Sequence, residues 1–143
     1  MNKTRIQAAL MMGVLLAVLI SGCGFVPGKT NSLDGTSWTL ESYAGTALLP
    51  GSAMTAVFED GEISGSASCN HYFGSYKTHG DGMTVEGLAW TEMACLNPEG
   101  IMSQEQEIMR LLGSAAAYQL QGGKLIIKAE NGGQLVFTPS QSQ

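Results

Sequence analysis

The sequence predicts a mainly β domain: a small antiparallel, barrel-like sheet of about eight short strands, with one amphipathic helix packed on it. Short runs of β-compatible residues recur along the chain, and turn signals separate them about every 8–12 residues. One segment near residue 100 instead has apolar residues at helical spacing. The chain has 143 residues, which suits one ordinary domain that buries a core.

The first predicted strands lie between residues 37 and 68. Ser37–Tyr43 alternates polar and apolar residues, as a half-buried strand does. A looser loop follows it. Met54–Glu59 and Glu62–Ser68 flank Asp60-Gly61, which predicts a hairpin because a type I′ turn needs positive φ at both central residues. Gly65 weakens the second strand of this hairpin and predicts either a bulge or a close backbone approach.

The other predicted strands are bounded by glycine-containing turns. They are Tyr72–Lys77, Met83–Thr91, Tyr118–Gln121, Lys124–Glu130 and Gln134–Thr138. Pro139 ends the last strand, because proline cannot donate a backbone hydrogen bond to a neighbouring strand. A closed or nearly closed sheet is favoured, since closure removes exposed strand edges.

The helix is predicted between residues 97 and 113. Asn97 suits the capping position and Pro98 the first helical position. Gly100 is a poor helix residue, so a start nearer Ser103 stays open. Gly113 predicts the end of the helix. One face of this helix carries Ile101, Glu105, Ile108 and Leu112.

The N-terminus carries the pattern of a bacterial export signal. Lys3 and Arg5 precede an uncharged run over residues 8–20, which is shorter than the ~20 residues needed to span a bilayer. Leu19–Cys23 then resembles a lipobox, in which a cysteine marks cleavage and lipid attachment. We therefore expect residues 1–22 to be a lipoprotein signal peptide and Cys23 to be lipidated. An uncleaved anchor and ordinary secretion are the alternatives.

This signal predicts the organisation and location of the mature chain. Residues 23–32 form a lipidated tether, residues 33–139 the folded domain and residues 140–143 a polar tail. The lipid on Cys23 makes the membrane a partner and holds the domain in the cell envelope, outside the cytoplasm. Gly24, rather than aspartate, follows the cysteine, which under lipoprotein sorting rules implies the outer membrane of a Gram-negative host.

The charge of the chain excludes some partners. The full sequence has seven basic and 12 acidic residues. Removal of residues 1–22 takes away Lys3 and Arg5 and no acid, which leaves a net charge of −7. A nucleic-acid or anionic-lipid surface needs clustered lysine and arginine. The sequence therefore argues against nucleic acid as a partner.

The sequence has three cysteines, and assigning Cys23 to lipid leaves an even number. Cys69 and Cys95 then predict one disulfide, because an oxidising compartment favours it. The alternative is two buried thiols. The bond would leave no free thiol for catalysis or metal binding.

Three sequence patterns are similar to those of the META domain family. They are Leu33-x-Gly35-Thr36-x-Trp38-x-Leu40, Gly65-x-x-x-Cys69-Asn70-x-Tyr72 and Thr91-x-Met93-Ala94-Cys95. The best-known bacterial member of this family is a heat-shock protein. The resemblance implies a barrel-like sheet of broadly lipocalin-like topology with a packed helix, and an envelope or stress-related role. It implies no catalytic set. The motif residues are interpreted as structural: Gly35, Trp38, Gly65, Asn70, Tyr72, Thr91 and Met93.

The candidate metal and catalytic groups all have simpler structural interpretations. Cys69, His71, His79 and Cys95 could supply four zinc ligands, but their spacing matches no common structural zinc pattern. No Gly-x-Ser-x-Gly motif marks a serine hydrolase. The acidic cluster Glu59–Glu62 is interpreted as the solvated tip of a hairpin. We expect no catalytic residue, no metal and no cofactor.

Five aromatic residues leave two interpretations open. An eight-stranded barrel is just wide enough to be filled by its own side chains or to hold one small ligand. The aromatic residues therefore either pack as core or line a ligand cavity. They are Trp38, Tyr72, Phe73, Tyr76 and Trp90.

Taken together, these features predict a lipid-anchored, non-enzymatic module that binds an unknown protein or small hydrophobic ligand in envelope maintenance. One alternative is a partner that assists assembly or secretion, which a large exposed apolar patch would favour. The other is an enzyme with an unrecognised site in the barrel mouth, which a polar pocket containing His71 or Glu92 would favour.

Overall fold

The structure is a computed structural model that describes residues 33–140. The predicted signal peptide 1–22, the lipidation site Cys23, the tether 23–32 and the tail residues 141–143 lie outside the described residues. Within the part that is described, no helix is both long and apolar enough to cross a membrane.

Nine strands and one helix make up the described chain. The strands are β1 (Thr36–Tyr43), β2 (Thr46–Ala47), β3 (Thr55–Glu59), β4 (Glu62–Ser66), β5 (His71–His79), β6 (Gly82–Trp90), β7 (Ala115–Gln121), β8 (Lys124–Ala129) and β9 (Gln134–Pro139), and the helix is α1 (Ile101–Gly113). Neighbouring strands follow chain order, except that β1 pairs with both β3 and β9. Eight antiparallel strands therefore close into a barrel, with the two-residue β2 paired only to β1. The predicted fold class is confirmed.

The predicted hairpin forms between β3 and β4. Asp60 and Gly61 both have positive φ, 51° and 77°, as a type I′ turn requires. Gly65 lies on β4, and a Cβ atom added there would stand 2.0 Å from the carbonyl oxygen of Thr55. Gly65 therefore marks the predicted close backbone approach, because no other residue fits at that distance.

The helix start differs from the prediction. The helix begins at Ile101, with Gly100 at the capping position and no side-chain cap, so the assignment of Asn97 as cap is wrong. Gly100 has φ 87°, a left-handed conformation that cannot belong to a right-handed helix. Residues before Gly100 are thereby separated from the helix. The helix ends at Gly113, as predicted.

Side chains of the strands fill the barrel. Phe58 on β3 and Tyr76 on β5 meet edge to face, with ring centroids 4.9 Å apart. Phe58, Leu125 and Phe137 are fully buried. The helix adds Ile108 and three neighbours to the same core: Met109, Leu111 and Leu112. Each such apolar side chain contributes about 1.5–3 kcal/mol when fully buried, so the helix is held by its packing.

The register defines two ends of the barrel. At the first, the described chain begins with Leu33, and Gly35 donates its N–H to the carbonyl of Phe58 beside the Asp60-Gly61 turn. We call this the turn end. At the second, β4 ends opposite the start of β5, with Ser66 paired to His71. The helix lies over this second end, which we call the helix end.

Candidate functional site

Two family-like sequence patterns meet at the helix end. Cys69 precedes β5, and Cys95 lies in the loop that follows β6. The two cysteines form the predicted disulfide, with Cα atoms 6.0 Å apart. The N–H of Thr91 donates to the carbonyl of His71 over 3.0 Å. The segment after β6 is therefore fixed to the start of β5 by both a covalent bond and backbone pairing.

The side chain of Asn70 is the centre of this arrangement. Its Oδ1 accepts from Thr91 Oγ1 and from Met93 N–H, both over 2.7 Å. Its Nδ2 donates to Met93 O over 3.2 Å and to Glu105 Oε1 over 2.6 Å. These four bonds use the full donor and acceptor capacity of the amide. Because Asn70 is buried, losing any of them would leave a polar group unsatisfied.

Glu105 joins the helix to the same group. Its Oε2 accepts from the N–H of Asn70 over 2.8 Å and from the N–H of Cys69 over 3.2 Å. The side chain is only 2% exposed. Three N–H donors thus replace the water that a carboxylate would otherwise bind, and such charge-assisted bonds are stronger than neutral ones. We call Cys69, Asn70, Thr91, Met93 and Glu105 the Asn70 network.

Sequence reasoning missed the role of Glu105. The sequence shows it only as the polar member of an apolar helical face. The neighbouring Gln104 was missed as well. Its Oε1 accepts from Leu49 N–H over 2.7 Å, and its Nε2 donates to Ser52 Oγ and Ser68 Oγ over 2.9 and 3.2 Å. The only sequence signal was a polar residue within an apolar stripe, and this pattern does not indicate which groups are its hydrogen-bond partners.

The other motif residues lie elsewhere in the barrel. Gly35 has φ 74° at the turn end. Trp38 is in the core, and its Nε1–H donates to Thr36 Oγ1 over 2.8 Å. Tyr72 donates its hydroxyl to Thr55 O over 2.8 Å. Burial raises the pKa of Tyr72 above its ordinary value. The motif residues therefore form separate structural contacts rather than one pocket.

The candidate metal ligands do not come together. The two cysteines are bonded to each other. His71 and His79 are both exposed and stand at opposite ends of β5. Within residues 33–140, no three histidine, cysteine, aspartate or glutamate side chains are placed to hold a metal ion. Glu59, Asp60 and Glu62 are exposed around the β3–β4 turn, in agreement with a solvated hairpin tip.

The five aromatic residues split into two groups. Trp38, Tyr72 and Tyr76 are buried and belong to the core. Phe73 and Trp90 are 61% and 42% exposed. The set therefore does not line a common cavity, because two of its members point into solvent.

Three large apolar side chains are exposed at the helix end, where β6 ends and its following loop begins. Trp90 is the last residue of β6 and pairs with Tyr72, whereas Phe73 pairs with Ala89 and so points to the other face of the sheet. Met93 and Leu96 follow in the loop and are 55% and 83% exposed. The backbone of Met93 is held by Asn70, and Leu96 follows the bonded Cys95. We call Trp90, Met93 and Leu96 the apolar rim.

A surface cleft of about 280 Å³ lies near the turn end. It is lined by Asp81 and by residues 118–121 of β7. There β6 and β7 share a single register pair, Gly82 with Ala117, so β7 runs past the end of β6. The cleft contains neither His71 nor Glu92, both of which are exposed elsewhere.

Comparisons with solved structures support the fold. The chain resembles a protein from Burkholderia xenovorans solved by NMR, with a TM-score of 0.64 and 26% identity over 77% of this chain and 85% of the other. A second NMR structure matches with a TM-score of 0.61 and 26% identity, covering 74% and 90%. A duf4847 family protein from Bacteroides vulgatus has a TM-score of 0.56 at 14% identity, covering 78% and 96%, and shows the shared fold alone.

The search of curated proteins finds no match for this chain. The scan against family models gives one for the META domain, over residues 31–142. That range contains all three sequence patterns and every strand of the barrel. The chain therefore belongs to the META domain family.

Proposed function

We propose that this META-domain chain is a lipid-anchored, non-enzymatic binding module in the extracytoplasmic part of a bacterial envelope. The observation that carries the proposal is the Asn70 network. Its buried polar groups are bonded to one another, which supports a structural role for them rather than a catalytic one. The loop that the network holds exposes two large apolar side chains, Met93 and Leu96.

Two further features support the location. The Cys69–Cys95 disulfide is of the kind that persists in oxidising compartments and is rare in the cytosol. The lipobox-like run ending at Cys23 supplies an anchor, and several acyl chains hold a protein on a membrane far longer than one does.

A partner in assembly or secretion is a second candidate for the same surface. It is favoured by the apolar rim, because several large apolar side chains exposed in one short segment are typical of an interaction site. The enzyme alternative required a polar pocket with His71 or Glu92, and the cleft near the turn end holds other residues.

The anchor is tested by the mass of the mature protein purified from host membranes. We expect an N-terminal peptide that begins at acylated Cys23, and a Cys23→Ala variant that leaves the membrane fraction. A mature chain with any other N-terminus would contradict the proposal. The non-enzymatic role is tested by incubating the protein with a metabolite extract and measuring which small molecules are consumed. We expect none to be consumed. Turnover that is lost on substitution of His71 or Glu92 would favour the enzyme alternative.

A further inference from the structure

The apolar rim is held in a fixed position. Met93 is bonded to Asn70 through both its N–H and its carbonyl oxygen. The neighbouring Cys95 is bonded to Cys69, and its N–H also meets the sulfur of Met102 over 3.4 Å. A loop that is already ordered loses little conformational entropy on binding. The rim is therefore suited to bind a partner without rearranging.

The charges at the helix end indicate which class of molecule can bind the apolar rim. Residues 46–54, 66–73 and 88–105 form this end and contain no lysine or arginine. Glu92 and Glu99 are exposed within the loop that carries Met93 and Leu96. Anionic lipid headgroups would be repelled by these carboxylates. A second copy would bring its own Glu92 and Glu99 to the interface, which disfavours self-association.

The apolar rim and the start of the described chain lie at opposite ends of the barrel. Leu33 lies at the turn end, since Gly35 pairs with Phe58 beside the Asp60-Gly61 turn. The rim lies at the helix end, one strand length away. The eight residues of β1 correspond to roughly 25 Å at about 3.4 Å per residue.

We propose that the apolar rim is the docking surface for a protein that presents an apolar patch bordered by lysine or arginine. The inference rests on the proposed role as a binding module and names the kind of partner. Leu96 and Trp90 would enter apolar pockets of that protein, while Glu92 and Glu99 would meet its basic residues. Large apolar and aromatic anchors inside a charged border are the usual arrangement of such interfaces.

The test uses the full lipoprotein in membranes of its host, with a photo-crosslinking amino acid at Met93. The matched control carries it at Gln121, which is exposed at the turn end. We expect a discrete adduct with a different protein from Met93 and none from Gln121. The crosslinked peptide of the partner should contain apolar residues beside lysine or arginine, and higher ionic strength should reduce the adduct.

Two leucine variants test whether the Met93 adduct depends on the apolar rim. Leu96→Ser should reduce the Met93 adduct at least about tenfold, as loss of a central anchor does. Leu120→Ser is the control, because Leu120 is a 44% exposed leucine on β7, far from the rim. Any one of four outcomes would overturn the proposal. The adduct could be lost equally in both leucine variants, or Met93 could give no adduct. Met93 could also crosslink to a second copy of this chain, or Met93 and Gln121 could give equal adducts.

A lipid occupant is tested separately. The full lipoprotein is placed in vesicles of phosphatidylethanolamine and phosphatidylglycerol with brominated acyl chains, and its emission is compared with that of a Trp90→Phe variant. We expect the Trp90 contribution to be unquenched, and quenching would assign the rim to the membrane. If the N-terminal mass shows no acyl group on Cys23, the proposed anchor fails while the crosslinking result stands by itself.

Discussion

Asn70 and Glu105 lie 35 positions apart, and the side-chain amide of Asn70 donates to the Glu105 carboxylate over 2.6 Å in the protein interior. This contact joins the loop before β5 to the helix. It is accompanied by two backbone donors to the same carboxylate. The pair therefore fixes the helix on the barrel and positions the loop that carries the apolar rim.

Substitution Glu105→Gln should destabilise the fold although it keeps the side-chain shape. An amide nitrogen in place of Oε2 would face the N–H groups of Cys69 and Asn70, which leaves buried donors unsatisfied. We expect the free energy of unfolding in urea to fall by about 2–3 kcal/mol. Glu107→Gln, on the same helix but part of an exposed pair with Arg110, is the control and should change little. Equal effects of the two substitutions would contradict the role assigned to Glu105.

Substitution Asn70→Ala should cost more. It removes four side-chain hydrogen bonds at once, those to the Thr91 hydroxyl, to the N–H and carbonyl of Met93, and to Oε1 of the buried Glu105. We expect a loss of about 3–5 kcal/mol, as for breaking a buried charged network. Asn97→Ala, at an exposed asparagine, should leave the unfolding midpoint unchanged. An Asn70→Ala protein as stable as the Asn97→Ala protein would show that the network contributes little.

Removal of the disulfide should weaken the fold without abolishing it. The bond between Cys69 and Cys95 closes a separation of 26 residues, which corresponds to about 3–4 kcal/mol in the chain-entropy model. The double variant Cys69→Ala, Cys95→Ala should unfold at lower urea concentration and be insensitive to reductant. The unsubstituted protein should lose a similar amount of stability on reduction. If reductant left its unfolding curve unchanged, the bond would have no stabilising role.

Gly65→Ala should be strongly destabilising, because the added Cβ would stand 2.0 Å from Thr55 O. The backbone of β3 or β4 must then move, since real Cβ atoms are not found so close to another atom. Gly113→Ala is the matched control: its Cβ would meet only Leu88 Cδ2 at 3.6 Å, and alanine favours a helix. Thermal unfolding followed by circular dichroism should show a lower midpoint for Gly65→Ala alone.

The stability should fall at alkaline pH. Burial raises the pKa of Tyr72, and burial together with Asp34 raises the pKa of Tyr76. Below about pH 10 both phenols are neutral in the folded and unfolded chains. Above it, these phenols ionise more readily in the unfolded chain than in the folded one, so unfolding is favoured as pH rises.

Substitution Tyr72→Phe isolates one of these two phenols. The variant loses the bond to Thr55 O, about 1 kcal/mol at neutral pH. Above about pH 10, its free energy of unfolding should fall less steeply with pH than that of the unsubstituted protein. Urea unfolding at a series of pH values measures both slopes. The same slope in both proteins would refute the contribution of Tyr72.

The parts of the fold that local chemistry determines were predictable from sequence. Asp60-Gly61 identifies its turn because few residue pairs accept positive φ twice in succession. Gly65 predicted either a bulge or a close backbone approach, and the structure has the close approach. The disulfide followed from an even count of cysteines once Cys23 was assigned to lipid.

The parts that depend on tertiary contacts were not predictable. Helical periodicity places Glu105 on the buried face of the helix. It carries no information on which residues contact that face, so the bonds of Glu105 to Asn70 could not be predicted. Asn97 is a good capping residue in isolation, yet Gly100 takes a left-handed conformation and moves the start of the helix to Ile101. Phe73 appeared as apolar as Tyr72, and only the register of β5 with its neighbours turned it outward.

The closure of the barrel by β1 and β9 has a consequence for how the chain is made. Leu40 pairs with Phe137, and Thr39 meets Ser140 across 101 positions. Such distant pairings form slowly and late, because a long loop must be closed first. During synthesis, one edge of β1 stays open until β9 has emerged. The nascent chain therefore exposes a strand edge open to wrong partners, which favours holding it unfolded until the whole sequence is available.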